Sequence, residues 1–364
     1  MKAFRFGIIS DPHIALPETI MPGAIRFHQV EVSIEALEQA LSQLEGAQLD
    51  FLLIPGDLTQ DGEPANHAWL SARLAQLPFP CYVIPGNHDV PYPQGNAQGI
   101  GLRDFAHYYR HQGYQDSCLP YYSREVVAGV RLLALNSNLF GRQGEQVGSL
   151  DQTQLRWLES QLKAHSQQFV LVMIHHNVIE HLPGQARHEL GRRYMLSNAG
   201  RLRHLLRTYG VKLILTGHLH VQDIAHQDGI YEITTGSLVS YPHPYRVLTC
   251  EPQGDGLQMH IESFPLESLT HYPQLAAQSR QYLGDRSRTF MLRLLTSPPL
   301  NLSVPLAEPL VERMRYFWAD VAAGDAQFDF PDFPAPVRHF LRQFNRFNHP
   351  AHLDFEDNNT RLLL

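Results

Sequence analysis

Cysteine is scarce in this chain. Cys81, Cys118 and Cys250 are odd in number and widely spaced, so neither a disulfide framework nor a cysteine-based zinc motif is implied. Reduced, mostly buried thiols are the simple consequence, as in a cytoplasmic protein. Long apolar runs are missing too: none approaches the ~20 residues of a membrane span. Lys2 and Arg5 lie near the N-terminus, but no apolar stretch or small-residue cleavage site follows them. A signal peptide is therefore not expected, and the expected location is the cytoplasm. Basic excess is also lacking. A net charge of −7 argues against binding a nucleic-acid polymer, although bound metal ions can create a local positive site. There is no internal repeat, no low-complexity tract and no serine or cysteine nucleophile motif.

What is present is a chain of 364 residues, long enough for one large domain and a smaller one. Short apolar runs rich in β-branched residues recur at Phe4–Ser10, Asp50–Pro55, Pro80–Pro85, Val130–Asn136, Phe169–His175, Val211–Thr216 and Ile230–Thr235. Several are almost wholly apolar, as expected of strands buried on both faces. Val247–Glu251 and Leu257–Ser263 read as a hairpin around Gln253-Gly254-Asp255-Gly256.

Amphipathic helices are expected over Val32–Leu44, Ala65–Leu77, Leu102–His111, Thr153–Ala164 and Ala199–Tyr209, with Asp151 and Asn198 as candidate caps of the last two. The alternation implies an α/β domain with largely parallel strands over residues 1–264. After Pro265 the texture becomes helical: Pro273–Thr296, Pro305–Ala323 and Pro336–Phe347, joined by proline-rich links and without further strand-like runs. Residues 265–364 are expected to form a helical accessory region. It is open to three readings: a lid, a surface for a homo-oligomer, or extra core over the α/β domain.

The chain carries 21 histidines, and their positions matter more than their number. Five clusters end apolar runs: Asp11-Pro12-His13, Gly56-Asp57, Gly86-Asn87-His88-Asp89, His175-His176 and Gly217-His218-Leu219-His220. Strand carboxyl ends are where open α/β sheets gather ligand-binding loops. Asp, Asn and His supply oxygen and nitrogen donors suited to Mn, Fe or Zn. An Asp-x-His alone reads more readily as a turn-forming aspartate beside a surface histidine. The order and placement of all five clusters together point to a metal site.

These motifs resemble the calcineurin-like metallophosphoesterase family, whose pattern they meet from residue 4 to about 263. The resemblance implies a four-layer αββα sandwich holding two divalent metal ions, and hydrolysis of a phosphoester by an activated water. It implies Asp11, His13, Asp57 and His220 around one ion. Around the other it implies Asp57, Asn87, His175 and His218, with Asp57 shared. His88 then becomes the general acid or charge stabiliser at the substrate, and Asp89 its orienting partner through a hydrogen bond. His176 is left as a packing residue. Asn177 stands where relatives often have proline, a departure that leaves the shape of that loop open.

Gly56–Gly62 lacks the arginine that follows Gly-Asp in Ser/Thr protein phosphatases, and Asp89 stands where those enzymes have glutamate. Together with Leu196-Ser197-Asn198-Ala199, this is similar to the class III cyclic-nucleotide phosphodiesterases. The expected substrate is a small phosphodiester such as cyclic AMP. Glycerophosphodiester, nucleotide and lipid-phosphate hydrolases share much of the pattern. A non-catalytic scaffold would be expected to have lost ligands, and none is missing here. His181, Arg187, His188, Arg192 and Arg193 offer either a phosphate-binding cation or a solvated basic face. The segment Tyr241–Tyr245 offers either a base-stacking platform or loop packing.

Overall fold

The computed structural model describes residues 1–23, 26–115, 117–254, 256–345 and 356–364. Two six-stranded sheets form its centre. The first contains β1 (Phe4–Ile9), β2 (Phe51–Ile54), β3 (Cys81–Val83), β12 (Pro244–Gln253), β13 (Gly256–Pro265) and β14 (Asn359–Leu363), in the order β14-β13-β12-β1-β2-β3. The second contains β4 (Tyr122–Val127), β5 (Val130–Ala134), β8 (Phe169–Met173), β9 (Leu213–Thr216), β10 (Asp223–Gln227) and β11 (Ile230–Thr234), in the order β10-β11-β9-β8-β5-β4. The short pair β6 (Asn138–Phe140) and β7 (Gln146–Gly148) stands apart. The run β1-β2-β3 of the first sheet and the run β11-β9-β8-β5 of the second are parallel, whereas β14, β13, β12 and β1 pair antiparallel in turn, as do β10 with β11 and β4 with β5.

Alternation along each strand builds the layers. Leu132, Ala134, Leu171, Met173, Leu213 and Leu215 of the second sheet join one cluster with Phe6, Ile8, Phe51 and Leu53 of the first. The intervening Leu133, Val170, Val172 and Ile214 point the other way, onto α4 (Gln152–Ala164) and α6 (Ala199–Thr208). Helices α1 (Ser33–Glu45), α2 (Pro64–Leu74) and α3 (Leu102–Tyr108) supply Leu37, Leu41, Leu70 and Phe105 to the first cluster. The expected αββα architecture is thus present. Asp151 caps α4 by accepting the Gln154 N–H at 2.7 Å. Asn198 instead spends its amide on the backbone of Leu150.

The accessory region differs from expectation in two ways. It contains a strand, β14, paired with β13. The stretch 305–323 is two helices, α8 (Val304–Arg313) and α9 (Phe317–Ala323), and the break seats Tyr316 against Gly284 of α7 (Leu275–Thr296). Helix α10 covers Ala335–Leu341, and Phe347 lies outside the described residues. Phe328 and Phe333 are buried among these helices. The apolar cluster of this region also takes in Leu219 and Val221, so it packs directly on the loop carrying His218 and His220. His243 anchors it from below, its Nδ1 donating to the Leu238 carbonyl and its Nε2 lying 2.6 Å from Ser279 Oγ of α7. The Tyr241–Tyr245 segment therefore packs rather than offering a stacking face.

Candidate metal centre

Loops leaving β1, β2, β3, β8 and β9 carry the five clusters to one end of the two sheets. Close backbone approach there depends on glycine. A side chain at Gly56, whose φ is +101°, would meet the Gly86 backbone at 2.8 Å; one at Gly86 would run into Asp57. Five of the seven expected ligands have left-handed backbones: Asp11, His13, Asp57, His218 and His220, with φ from 40° to 68°. Such conformations cost on the order of 1–3 kcal/mol each and persist where the surroundings over-determine them, typically at functional sites.

The side chains converge. His13 Nε2 lies 3.2 Å from His220 Nε2 and 3.8 Å from Asp57 Oδ2, and His220 Nε2 lies 3.4 Å from Asp11 Oδ1. On the other side of Asp57, its Oδ2 lies 3.3 Å from His175 Nε2, which is 3.2 Å from Asn87 Oδ1. Donor atoms of Asp11, His13, Asp57 and His220 fall within 4.8 Å of one another, as do those of Asp57, His175 and His218. Asp57 belongs to both groups.

Second contacts fix which atoms face inward. His175 Nδ1 donates to the Pro55 carbonyl at 2.8 Å, which leaves Nε2 as the ring nitrogen facing Asp57. Asp57 Oδ1 accepts the His88 N–H at 2.9 Å, leaving Oδ2 free. Asp11 accepts from the His218 N–H and from Ser10 Oγ. Burial would raise the Asp57 carboxyl, but His175, His88 and His13 hold it well below the usual carboxylate range. Burial, with His28 and His88 adding to it, pushes His13 well below its ordinary value. Imidazole nitrogens and carboxylate oxygens thus converge from several loops at the spacing that ligands of a cation adopt. This donor set fits two divalent ions of the Mn, Fe or Zn type.

His88 Nδ1 donates to the Gln60 carbonyl at 2.7 Å, with Asp61 Oδ1 at 3.9 Å. The expected bond from Asp89 is not made. The Asp89 carboxylate points inward and accepts the N–H groups of Leu58, Thr59 and Gly86 at 2.8–3.0 Å, because those loop amides have no strand partner. Burial and the neighbouring Asp57 raise Asp89 to about 7. His176 turns away to Ser137 Oγ at 2.8 Å. Asn177 closes its loop by bonding Thr216, Gln185 and the Tyr194 carbonyl.

One residue, His28, escapes sequence reasoning, and another, His181, is neither a phosphate-binding cation nor part of a solvated face. His28 stacks on His13 with ring centroids 4.2 Å apart, and its Nε2 bonds Gln60 Oε1 at 2.8 Å; burial lowers it to about 3. It sits in an irregular loop with no motif, and only the histidine count hinted at it. His181 is buried between Asp223 Oδ2 at 2.6 Å and Glu232 Oε1 at 3.1 Å, away from the centre. Of the basic segment, Arg193 borders the cavity over the centre, Arg192 a neighbouring one, and Arg187 a third.

That cavity, of ≈ 500 Å³, is floored by Asp57, Asn87, His88, His218 and His220 and walled by Arg26, Phe27, Tyr194, Phe290 and Trp318. A two-sheet sandwich with this donor cluster at its loop end defines a metal-dependent phosphoester hydrolase. The calcineurin-like phosphoesterase family profile matches residues 4–222, more than half the chain, and the chain belongs to that family.

Among relatives, it is 28% identical over 219 residues to a "probable glycerophosphodiester phosphodiesterase" of Arcobacter nitrofigilis, covering 58% of this chain and 70% of that one. It is 26% identical over 200 residues to the 3′,5′-cyclic adenosine monophosphate phosphodiesterase of Escherichia coli K12, covering 53% and 64%. It is 29% identical over 189 residues to a 3′,5′-cyclic-nucleotide phosphodiesterase of Nostoc, covering 52% and 62%. The match thus spans less than two thirds of either cyclic-nucleotide relative. A dimetal phosphatase of Danio rerio shares the fold, with a TM-score of 0.55 at 16% identity over 72% of this chain and 96% of that one. Among the described residues, no helix is long and apolar enough to cross a membrane.

Proposed function

We infer that this protein is a dinuclear-metal phosphodiesterase of a small phosphodiester, best read as a 3′,5′-cyclic nucleotide such as cyclic AMP. One observation carries the reading: two donor groups that share Asp57 floor one cavity large enough for a nucleotide. Asp11, His13, Asp57 and His220 would hold one ion, and Asp57, Asn87, His175 and His218 the other. When bound, the pair supplies an activated water and neutralises charge on the phosphate.

The remaining work falls to the chain's own groups. Because His88 Nδ1 is committed to Gln60, the proton that His88 can give to a leaving oxygen sits on Nε2. Asp89 holds the Leu58–Thr59 and Gly86 loops together and so keeps Asp57 and Asn87 in register. Arg26 and Arg193 at the rim offer cations to phosphate oxygens. The likeness to cyclic-nucleotide phosphodiesterases of Escherichia coli and Nostoc supports the substrate. The Arcobacter relative supports a second reading, a glycerophosphodiester.

Steady-state hydrolysis of cyclic AMP, glycerophosphoethanolamine and p-nitrophenyl phosphate by the metal-loaded protein separates these. The highest kcat/KM is expected on cyclic AMP. A faster rate on the monoester would remove the diesterase reading.

A further inference from the structure

The part of the chain beyond the family match reaches into the candidate active site. Phe290 of α7 and Trp318 of α9 line the same cavity as Asp57, His88 and His218. Their neighbours Met291, Leu295 and Phe317 are fully buried in the accessory core, whereas Phe290 and Trp318 are only half-buried. Their rings meet at 47° with centroids 4.7 Å apart, forming an aromatic corner. Phe27, 44% exposed, borders the same cavity, and so does Tyr194, whose ring lies 5.0 Å from that of His218. Both rings pack on the accessory core, and the surface they keep borders the cavity over the carboxylates and imidazoles and a neighbouring one.

We propose that Phe290 and Trp318 form the platform on which the planar base of a nucleotide substrate stacks while its phosphate lies over the Asp57 cluster. This rests on the phosphodiesterase reading and deepens it, because an aromatic wall rewards a nucleobase and offers little to glycerol. Stacking of a base on an aromatic side chain is sequence-tolerant and is worth roughly tenfold or more in affinity per ring. The accessory helices are then a specificity wall rather than only extra core. Their packing on Leu219 ties that wall to the loop bearing His218 and His220.

The test is calorimetric titration of the metal-loaded protein with AMP, glycerol 3-phosphate and dodecyl phosphate. AMP is expected to bind at least about tenfold more tightly than the other two. The Phe290→Ala and Trp318→Ala variants should lose most of that preference, with glycerol 3-phosphate affinity unchanged. Trp318→Phe should retain most of it, which separates loss of a ring from loss of folding. Equal affinities in the unmodified protein, a preference that survives the double alanine variant, or tighter binding of dodecyl phosphate would overturn the platform. A retained AMP preference without cyclic AMP hydrolysis would leave the platform standing and remove the catalytic reading instead.

Discussion

Asp57 Oδ1 accepts the backbone N–H of His88 at 2.9 Å, and that one bond separates two jobs. It turns Oδ2 toward both His13 and His175, and it fixes the segment that carries His88 over the cavity. Asp57 is shared by both donor groups, so Asp57→Ala should abolish binding of both ions rather than one. Metal content per chain checks this by elemental analysis of the purified variant. Retention of one full equivalent would show that the two groups are independent.

His88 hydrogen-bonds Asp57 through its backbone N–H, not through its imidazole. His88→Ala should therefore keep both ions while losing about 10²- to 10⁴-fold in kcat, the usual worth of a positioned proton donor. The loss should shrink on a diester with a p-nitrophenolate leaving group, which needs little protonation. Loss of metal from this variant would make His88 a ligand.

Asp89 faces three loop amides and not His88. Asp89→Ala leaves the N–H groups of Leu58, Thr59 and Gly86 buried without an acceptor, at roughly 1–3 kcal/mol each. Denaturant unfolding should register a loss of several kcal/mol. A variant that folds with ordinary stability but loses turnover would return Asp89 to a role at His88.

The buried His181 gives a pH signature remote from the centre. Burial alone would lower its pKa, but Glu232 and Asp223 hold it up at about 9. A group raised in the folded state stabilises fully below its unfolded pKa of roughly 6.5, and that stability fades as pH rises through the folded value. Stability should thus fall between about pH 6.5 and 9, by on the order of 2–3 kcal/mol from this site. Urea midpoints across that range should flatten in His181→Gln. An unchanged slope in the variant would remove His181 as the cause.

Much of this is legible in the sequence because buried strands and metal-ligand loops leave short, local marks. Wholly apolar runs such as Phe51–Ile54 and Phe169–Met173 are buried strands, and Asp57 or His175 follows within three residues of where such a run ends. Of the four edge strands, only β3 leaves such a mark. Tyr122–Val127 and Asp223–Gln227 mix polar and apolar residues because one side meets solvent, and β14 is five residues long. His28, the Asp223–His181–Glu232 cluster and the Phe290–Trp318 corner depend on residues far apart in sequence, which no spacing rule joins. The Gly86–Asp89 motif marks Asp89 but not its partners, since its bonds run to backbone amides that a motif does not display.

Two ions sharing Asp57 would make this cavity hydrolytic. The most direct test strips the protein with chelator, titrates Mn²⁺ back by calorimetry and follows cyclic AMP hydrolysis in the same samples. Two equivalents per chain, with activity absent beforehand and complete only at the second, is the predicted result. Saturation at one equivalent, or hydrolysis by the stripped protein, would contradict it.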